Sequence, residues 1–139
     1  RSGADMTRVR KMLRDNIDSY KARAEAVRTA EIYRGCFAIA KCPSEGLESP
    51  TVVGAQAANE LLNIIGIKAS FVLTEYNDKI YISSRSIDEI NVQIIMEKLG
   101  GGGHLNVAGA QLEGVTIVQA KRMIQDTLDE MLKEGDIEE

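Results

Sequence analysis

The chain has 139 residues, of which 44% are hydrophobic and 27% charged, and its formal net charge is −4. This length fits one domain with a substantial core, and no apolar run approaches the roughly 18–20 residues that cross a bilayer. Residues 1–34 hold nine Lys and Arg against five Asp and Glu, whereas residues 35–139 hold eight against sixteen, which argues against sequence-independent DNA binding through a continuous basic face.

The first third of the chain predicts two helices and two strands. Asp5 is a candidate cap for a helix that runs to about Arg14. In the next helix, apolar residues recur at spacings of three and four and share one face: Ile17, Tyr20, Ala24 and Val27. The segment "AEIYRGCFAIAKC" predicts two strands around a turn at Arg34-Gly35. Cys36 and Cys42 flank the second strand about 20 Å apart, too far for a disulfide, so we expect free thiols.

The middle of the chain predicts a helix, a hairpin and a second helix. "SPTVVGAQAANELLNIIG" has Ser49 as N-cap, Pro50 at the first helical position and Gly66 at its end. Four small residues would let this helix approach a sheet closely: Gly54, Ala55, Ala57 and Ala58. "KASFVLTEYNDKIYISSRS" predicts a hairpin that turns at Asn77-Asp78. Asp88 is the predicted cap of the helix "DEINVQIIMEKLG".

The last third predicts a short strand, "VAGAQLEG", and a long helix that begins with a capping box of Thr116 and Gln119. The helix has one apolar stripe: Ile117, Ala120, Ile124, Leu128 and Met131. The tail "KEGDIEE" is expected to fray. The element order predicts an α/β fold with one mixed β-sheet of about five strands and helices packed on it.

Four consecutive glycines, Gly100–Gly103, precede the single histidine, His104. Each glycine disfavours folding by about 0.5–1 kcal/mol relative to alanine, and a helix C-cap explains one of them. Bare backbone can approach a ligand closely, and successive N–H groups form an anion-binding concavity. The run lacks the Lys-Ser/Thr of a Walker loop and does not match GxGxxG. It indicates phosphate contact, names no reaction and, with one histidine in the chain, predicts no transition-metal site.

Arg85 is the second candidate for a phosphate ligand. In "IYISSRS", alternation places Ile80 and Ile82 on one face and Tyr81, Ser83 and Arg85 on the other. Arg85 then stands at the carboxyl end of a strand, where open α/β sheets bind ligands, and a guanidinium suits phosphate. Ser84 and Ser86 are candidate hydroxyl donors. On the residues alone, a solvent-exposed arginine of an edge strand is an equal alternative.

"GGGGHLNVAGAQL", preceded by "YISSRS" and a helix, resembles the C-terminal associated domain of the DHH phosphoesterases, and within that family the membrane-bound cyclic di-AMP phosphodiesterases of the GdpP type. The similarity extends from about Arg8 to Leu132, and the glycine–histidine motif is its most specific part. It implies a fold of the DHH-associated-domain type. Residues 1–15 are then a connector helix from a missing DHH domain, residues 16–134 the substrate-binding domain, and residues 135–139 a tail.

The resemblance also implies a division of labour. A DHH domain supplies two manganese ions for hydrolysis of cyclic di-AMP to linear pApA, and the associated domain closes over the substrate, binds no cofactor and is inactive alone. Gly101, Gly102, Gly103 and His104 would hold the phosphate distal to the cleaved bond, with Arg85 and Ser84 nearby. The implied partners are a cyclic or short linear dinucleotide, the DHH domain and a second copy of the parent protein. The domain would be cytoplasmic, in a parent anchored by N-terminal membrane helices.

Two other functions stay open. The same domain occurs in oligoribonucleases that also remove phosphate from bisphosphate nucleotides, and a related domain in alanyl-tRNA synthetases binds nucleic acid. Six aromatic residues and an acidic C-terminal two-thirds speak against binding of long RNA. The residues do not separate a cyclic from a linear dinucleotide substrate.

Overall fold

A computed structural model describes residues 17–139, so the helix predicted at Asp5 and the expected connector 1–15 lie outside the described residues. Within this range the chain forms four helices and six strands. The helices are α1 (17–28), α2 (Pro50–Leu62), α3 (Val92–Lys98) and α4 (Ile117–Glu134). The strands are β1 (Glu31–Tyr33), β2 (Phe37–Lys41), β3 (Ala69–Tyr76), β4 (Lys79–Ser86), β5 (Gly102–Gly103) and β6 (Val107–Glu113).

One mixed sheet joins all six strands in the order β1-β2-β3-β4-β6-β5. The β2–β3 pair is parallel, because α2 connects these strands, and the other pairs are antiparallel. The predicted α/β class with a mixed sheet is confirmed. The strand beyond the predicted five is β5, formed by two glycines of the run that precedes His104 and paired with β6.

The two faces of the sheet carry separate cores of different character. Large side chains fill the face that packs on α3 and α4: Phe37, Phe71, Leu73, Ile80 and Ile82 among them. The face under α1 and α2 is lined largely by alanines and valines. A Cβ added to Gly54 of α2 would lie 2.5 Å from the Thr74 hydroxyl oxygen. The small residues of α2 therefore do permit the close approach to the sheet that the sequence predicts.

Three of the four residues on the predicted apolar face of α1 are exposed. Ile17 is 52% exposed and Tyr20 65% exposed, and Ala24 is exposed as well. The helix instead buries Ala22 and Ala26, which are four residues apart and share a face. The surface that these two alanines meet is itself lined by Ala38, Ala40 and Val72, so small side chains allow a close contact between the helix and the sheet.

The predicted turns and most of the predicted helix ends are found. Arg34-Gly35 and Asn77-Asp78 turn with positive φ. Thr116 and Gln119 form a complete capping box, and the apolar stripe of α4 is buried in the core except for Ile117, which is partly buried against it. Pro50 is the first residue of α2, although the Ser49 side chain makes no capping hydrogen bond. The predicted end of this helix at Gly66 is wrong, because the helix ends at Leu62.

Two further predictions, for the start of α3 and for the C-terminal tail, are wrong. Asn91, rather than Asp88, caps α3, because its Oδ1 accepts from the N–H groups of Gln93 at 3.0 Å and Ile94 at 3.4 Å. The tail expected to fray includes Ile137, which is 5% exposed and packs into the core on the α4 side of the sheet. The left-handed residue Gly135 (φ 81°) ends α4 and returns the chain to that core.

Three of the four consecutive glycines have structural roles. Gly100 (φ 85°) ends α3 in a Schellman motif, with the Gly101 N–H donating to Met96 O at 2.8 Å and the Gly100 N–H to Glu97 O at 3.1 Å. A Cβ on Gly101 would overlap the carbonyl oxygen of Gly109 on β6, and one on Gly103 would lie 2.6 Å from the Cα of Ala108. A Cβ on Gly102 would meet no atom of residues 17–139 within 4 Å.

This packing predicts that two adjacent substitutions differ in their effect on stability. Gly101→Ala should destabilise the domain by about 1–3 kcal/mol, since the added methyl must displace the β6 backbone. Gly102→Ala should leave the free energy of unfolding within about 0.5 kcal/mol of the unsubstituted value. Urea unfolding followed by circular dichroism measures both; equal stabilities for the two variants would contradict the described contact between the glycines and β6.

Candidate functional site: a glycine edge beside Arg85

The carboxyl end of β4 lies beside the turn that joins β5 to β6. Arg85 on β4 pairs with Val107 on β6, and the His104 N–H donates to the Val107 carbonyl at 2.7 Å. The turn is held on both sides: the Ser86 N–H donates to Asn106 O at 3.0 Å, and the Val92 N–H of α3 donates to Leu105 O at 3.0 Å. The fold therefore brings Arg85 and His104 to the same end of the sheet.

The serines around Arg85 divide between the two faces of β4. Ser83 shares the face of Arg85, as the alternation predicts, and is half-buried. Ser84 is fully buried on the opposite face, and its hydroxyl has no hydrogen-bond partner in the described part of the chain. Ser86 is buried as well, and its hydroxyl donates to Ile90 O at 2.6 Å. The structure thus places Ser83, and neither Ser84 nor Ser86, beside Arg85.

The guanidinium of Arg85 is half-buried and lacks an acidic partner. It donates to the Ser84 carbonyl at 2.8 Å but makes no ion pair with any carboxylate of residues 17–139. Burial lowers the pKa of Arg85, although an arginine stays charged at neutral pH. One hydrogen bond leaves most of its five N–H donors available, so a bound anion would relieve the cost of burying this charge.

The segment Gly102–His104, which we call the glycine edge, adds a backbone donor. His104 bonds toward β6 through its N–H, and hydrogen-bonding direction alternates along an antiparallel strand, so the Gly103 N–H faces the open edge of the sheet. Gly102 leaves open space above its backbone, and His104 is exposed. Gly102, Gly103 and His104 therefore combine an approachable backbone, an outward N–H donor and an imidazole in one short segment.

A cavity of about 510 Å³ adjoins this edge on the face of Arg85. Its lining includes Gly100 and Gly101, while Gly102, Gly103, His104 and Arg85 lie outside it. The remaining lining residues come mainly from β4 and β6, and among them are Tyr81, Ser83, Gly109 and Gln111. Sequence reasoning did not assign these residues to a site. The alternation of "IYISSRS", which puts Tyr81 and Ser83 on the face of Arg85, was the available signal.

Residues 17–139 contain no cluster of three or more His, Cys, Asp or Glu side chains that could hold a metal ion. Cys36 and Cys42 are free and buried, and burial raises the pKa of Cys42 to about 11, so neither is an activated thiolate. Over the same range, the helices are too short or too polar to cross a membrane.

Two curated proteins that are similar to this chain carry the same name, cyclic-di-AMP phosphodiesterase. Cyclic-di-AMP phosphodiesterase PdeA of Listeria monocytogenes is 45% identical over 128 residues, covering 91% of this chain and 19% of PdeA. Cyclic-di-AMP phosphodiesterase GdpP of Geobacillus thermodenitrificans is 39% identical over 134 residues, covering 96% of this chain and 20% of GdpP. The chain thus spans about a fifth of the length of these curated relatives.

A solved structure shares the fold. An exopolyphosphatase-related protein from Bacteroides fragilis aligns with a TM-score of 0.70 at 21% identity, covering 81% of this chain and 34% of that one. Residues 36–134, which include β2 to β6, the glycine edge and all of α4, match the family described as the DHHA1 domain. The chain belongs to the DHHA1 domain family.

Proposed function

We propose that this chain is the nucleotide phosphate-binding, C-terminal domain of a DHH-family phosphodiesterase that hydrolyses cyclic di-AMP to linear pApA. The observation that carries the proposal is the half-buried Arg85, which has no carboxylate partner among residues 17–139 and stands at the sheet end that also holds His104. The substrate class is supported by the two cyclic-di-AMP phosphodiesterases that are 39% and 45% identical to the chain.

The domain contributes binding and orientation. Arg85, the Gly103 N–H and His104 hold the phosphate distal to the cleaved bond, and Gly102 gives that phosphate room against the backbone. Charge-assisted hydrogen bonds of this kind fix both position and angle, and fixing the substrate can supply several kcal/mol of the barrier reduction. Bond cleavage is assigned to two manganese ions of a preceding DHH domain, because the described residues do not assemble a metal site.

The proposal also covers the parent protein. Residues 1–15 connect the DHH domain to this one, residues 16–134 bind substrate, and residues 135–139 form the tail. The parent is a homodimer anchored in the membrane by N-terminal helices, with this domain on the cytoplasmic side. The support is the small share of the relatives, 19% and 20%, that the chain covers, which leaves room for such segments.

The chain on its own should have no phosphodiesterase activity, even with excess manganese. Chromatography measures the release of pApA from cyclic di-AMP, and the full-length protein serves as the positive control. Turnover by the purified chain would contradict the division of labour. A full-length protein that cleaves short RNA or bisphosphate nucleotides and leaves cyclic di-AMP intact would favour the oligoribonuclease alternative, and tight binding of tRNA would favour the nucleic-acid-binding one.

His104→Ala in the full-length protein should lower kcat/KM about tenfold to a hundredfold, the value of one charge-assisted hydrogen bond to a phosphate. The side chain is exposed, so the melting temperature should not change, and the manganese content should stay the same because the residue acts apart from the metals. Leu105→Ala, in the same turn, is the matched control. Wild-type kinetics in His104→Ala would show that the histidine does not contact substrate.

Arg85→Ala should lower kcat/KM by a similar factor, and Arg85→Lys should restore only part of it, because an ammonium keeps the charge but loses the bidentate geometry. Ser84→Ala tests the neighbouring residue on the opposite face. Its buried hydroxyl has no partner among the described residues, so we expect unchanged kinetics and equal or higher stability. A large loss of activity in Ser84→Ala, with the melting temperature kept, would instead support the role first predicted for Ser84.

A further inference from the structure

The cavity beside the glycine edge differs chemically from the phosphate end of the proposed site. Every residue that lines it is uncharged, whereas Arg85 lies four residues beyond Tyr81 along β4, a distance of about 13 Å. Its volume of about 510 Å³ falls within the usual range for small-molecule sites. An uncharged pocket next to a cationic group suits a ligand with one anionic and one neutral, polar end.

Two side chains of the cavity have the geometry to bind a flat heterocycle. Tyr81 and Gln111 are directly opposite each other on β4 and β6, so they project from the same face a few ångströms apart. Tyr81 is half-buried, and the ring of Tyr76 lies 6.5 Å from its centroid, which limits its movement. Gln111 is exposed, and within residues 17–139 its amide makes no hydrogen bond that would have to be broken.

We propose that this cavity is the nucleobase subsite of the domain and that it prefers adenine, with Tyr81 stacking on the base and Gln111 recognising the edge that carries N6 and N7. The inference rests on the proposed function, because it takes the phosphate to lie at Arg85 and His104. Aromatic rings stack on any base, so the preference for one base must come from the side-chain amide of Gln111.

The amide chemistry favours adenine over guanine. A glutamine offers one acceptor and one donor side by side, which match the N6 amino group and N7 of adenine. Guanine presents two acceptors, O6 and N7, at the same edge. Bidentate recognition of guanine at this edge requires two donors, such as an arginine provides, and the cavity lining holds no arginine or lysine.

The test compares kcat/KM for cyclic di-AMP and cyclic di-GMP in the full-length protein. The unsubstituted protein should prefer the adenine substrate, Gln111→Ala should reduce that preference about tenfold to a hundredfold, and Gln111→Arg should shift it toward guanine. Tyr81→Ala should lower activity on both substrates, and Tyr81→Phe should restore it relative to Tyr81→Ala because the stacking ring is kept, with melting temperatures showing that the variants fold. Gln125→Ala, on α4 across the sheet, is the matched control.

The outcomes separate this inference from the proposed function. If the protein hydrolyses cyclic di-AMP but Gln111→Ala leaves its preference for adenine over guanine unchanged, the subsite is overturned and the proposed function is kept. If the full-length protein hydrolyses neither substrate, the proposed function fails, and adenosine is titrated into the 139-residue chain. A shift of the Gln111 side-chain amide resonances, with no comparable shift for guanosine, then supports the subsite, and no shift overturns it.

Discussion

The absence of side chains at Gly101 and Gly103 is the constraint on which the site depends. Without a Cβ at either position, the chain leaving α3 lies directly against the backbone of β6, which adds β5 to the sheet and delivers His104 to the end of β4. Ser86 and Asn106 then tie the turn to β4. Two glycines thus serve packing, Gly100 ends a helix, and Gly102 has open space that no contact among the described residues explains.

The fold also retains groups that a stability-optimised core would avoid. Arg85 is half-buried without a carboxylate partner among the described residues, and the hydroxyls of Thr74 and Ser84 are buried and unpartnered there as well. Unsatisfied polar groups reduce stability, and such deficits concentrate where a protein must receive a ligand. Arg85 has such a role in the proposed site, since it adjoins an open edge. Thr74 and Ser84 are buried inside the fold, and the structure gives no reason for their unpartnered hydroxyls.

Sequence patterns predicted the α/β class, the hairpin turns, the capping box and the placement of Arg85 at a strand end, because each depends on residues close together in the chain. They were wrong where a distant surface decides. The face of α1 was misassigned because periodicity shows which residues share a face, and only the alanine-lined sheet decides which face is buried. Two other errors have local causes. The strand β5, in which Gly102 pairs with Gly109 and Gly103 with Ala108, was missed because glycine is depleted in strands, and Ser84 was grouped with Arg85 although alternation puts the two on opposite faces.

The order of the strands has a consequence for how base preference could change in evolution. Apart from Thr51, every residue assigned to the phosphate end or to the cavity lies between Lys79 and Glu113, which is the unbroken stretch β4–α3–β5–β6. This stretch occupies one edge of the sheet, and the neighbours that it packs against are β3, α2 and the surface of α4. A single recombination of that stretch between two family members would transfer every assigned ligand contact except that of Thr51 and leave the rest of the fold untouched.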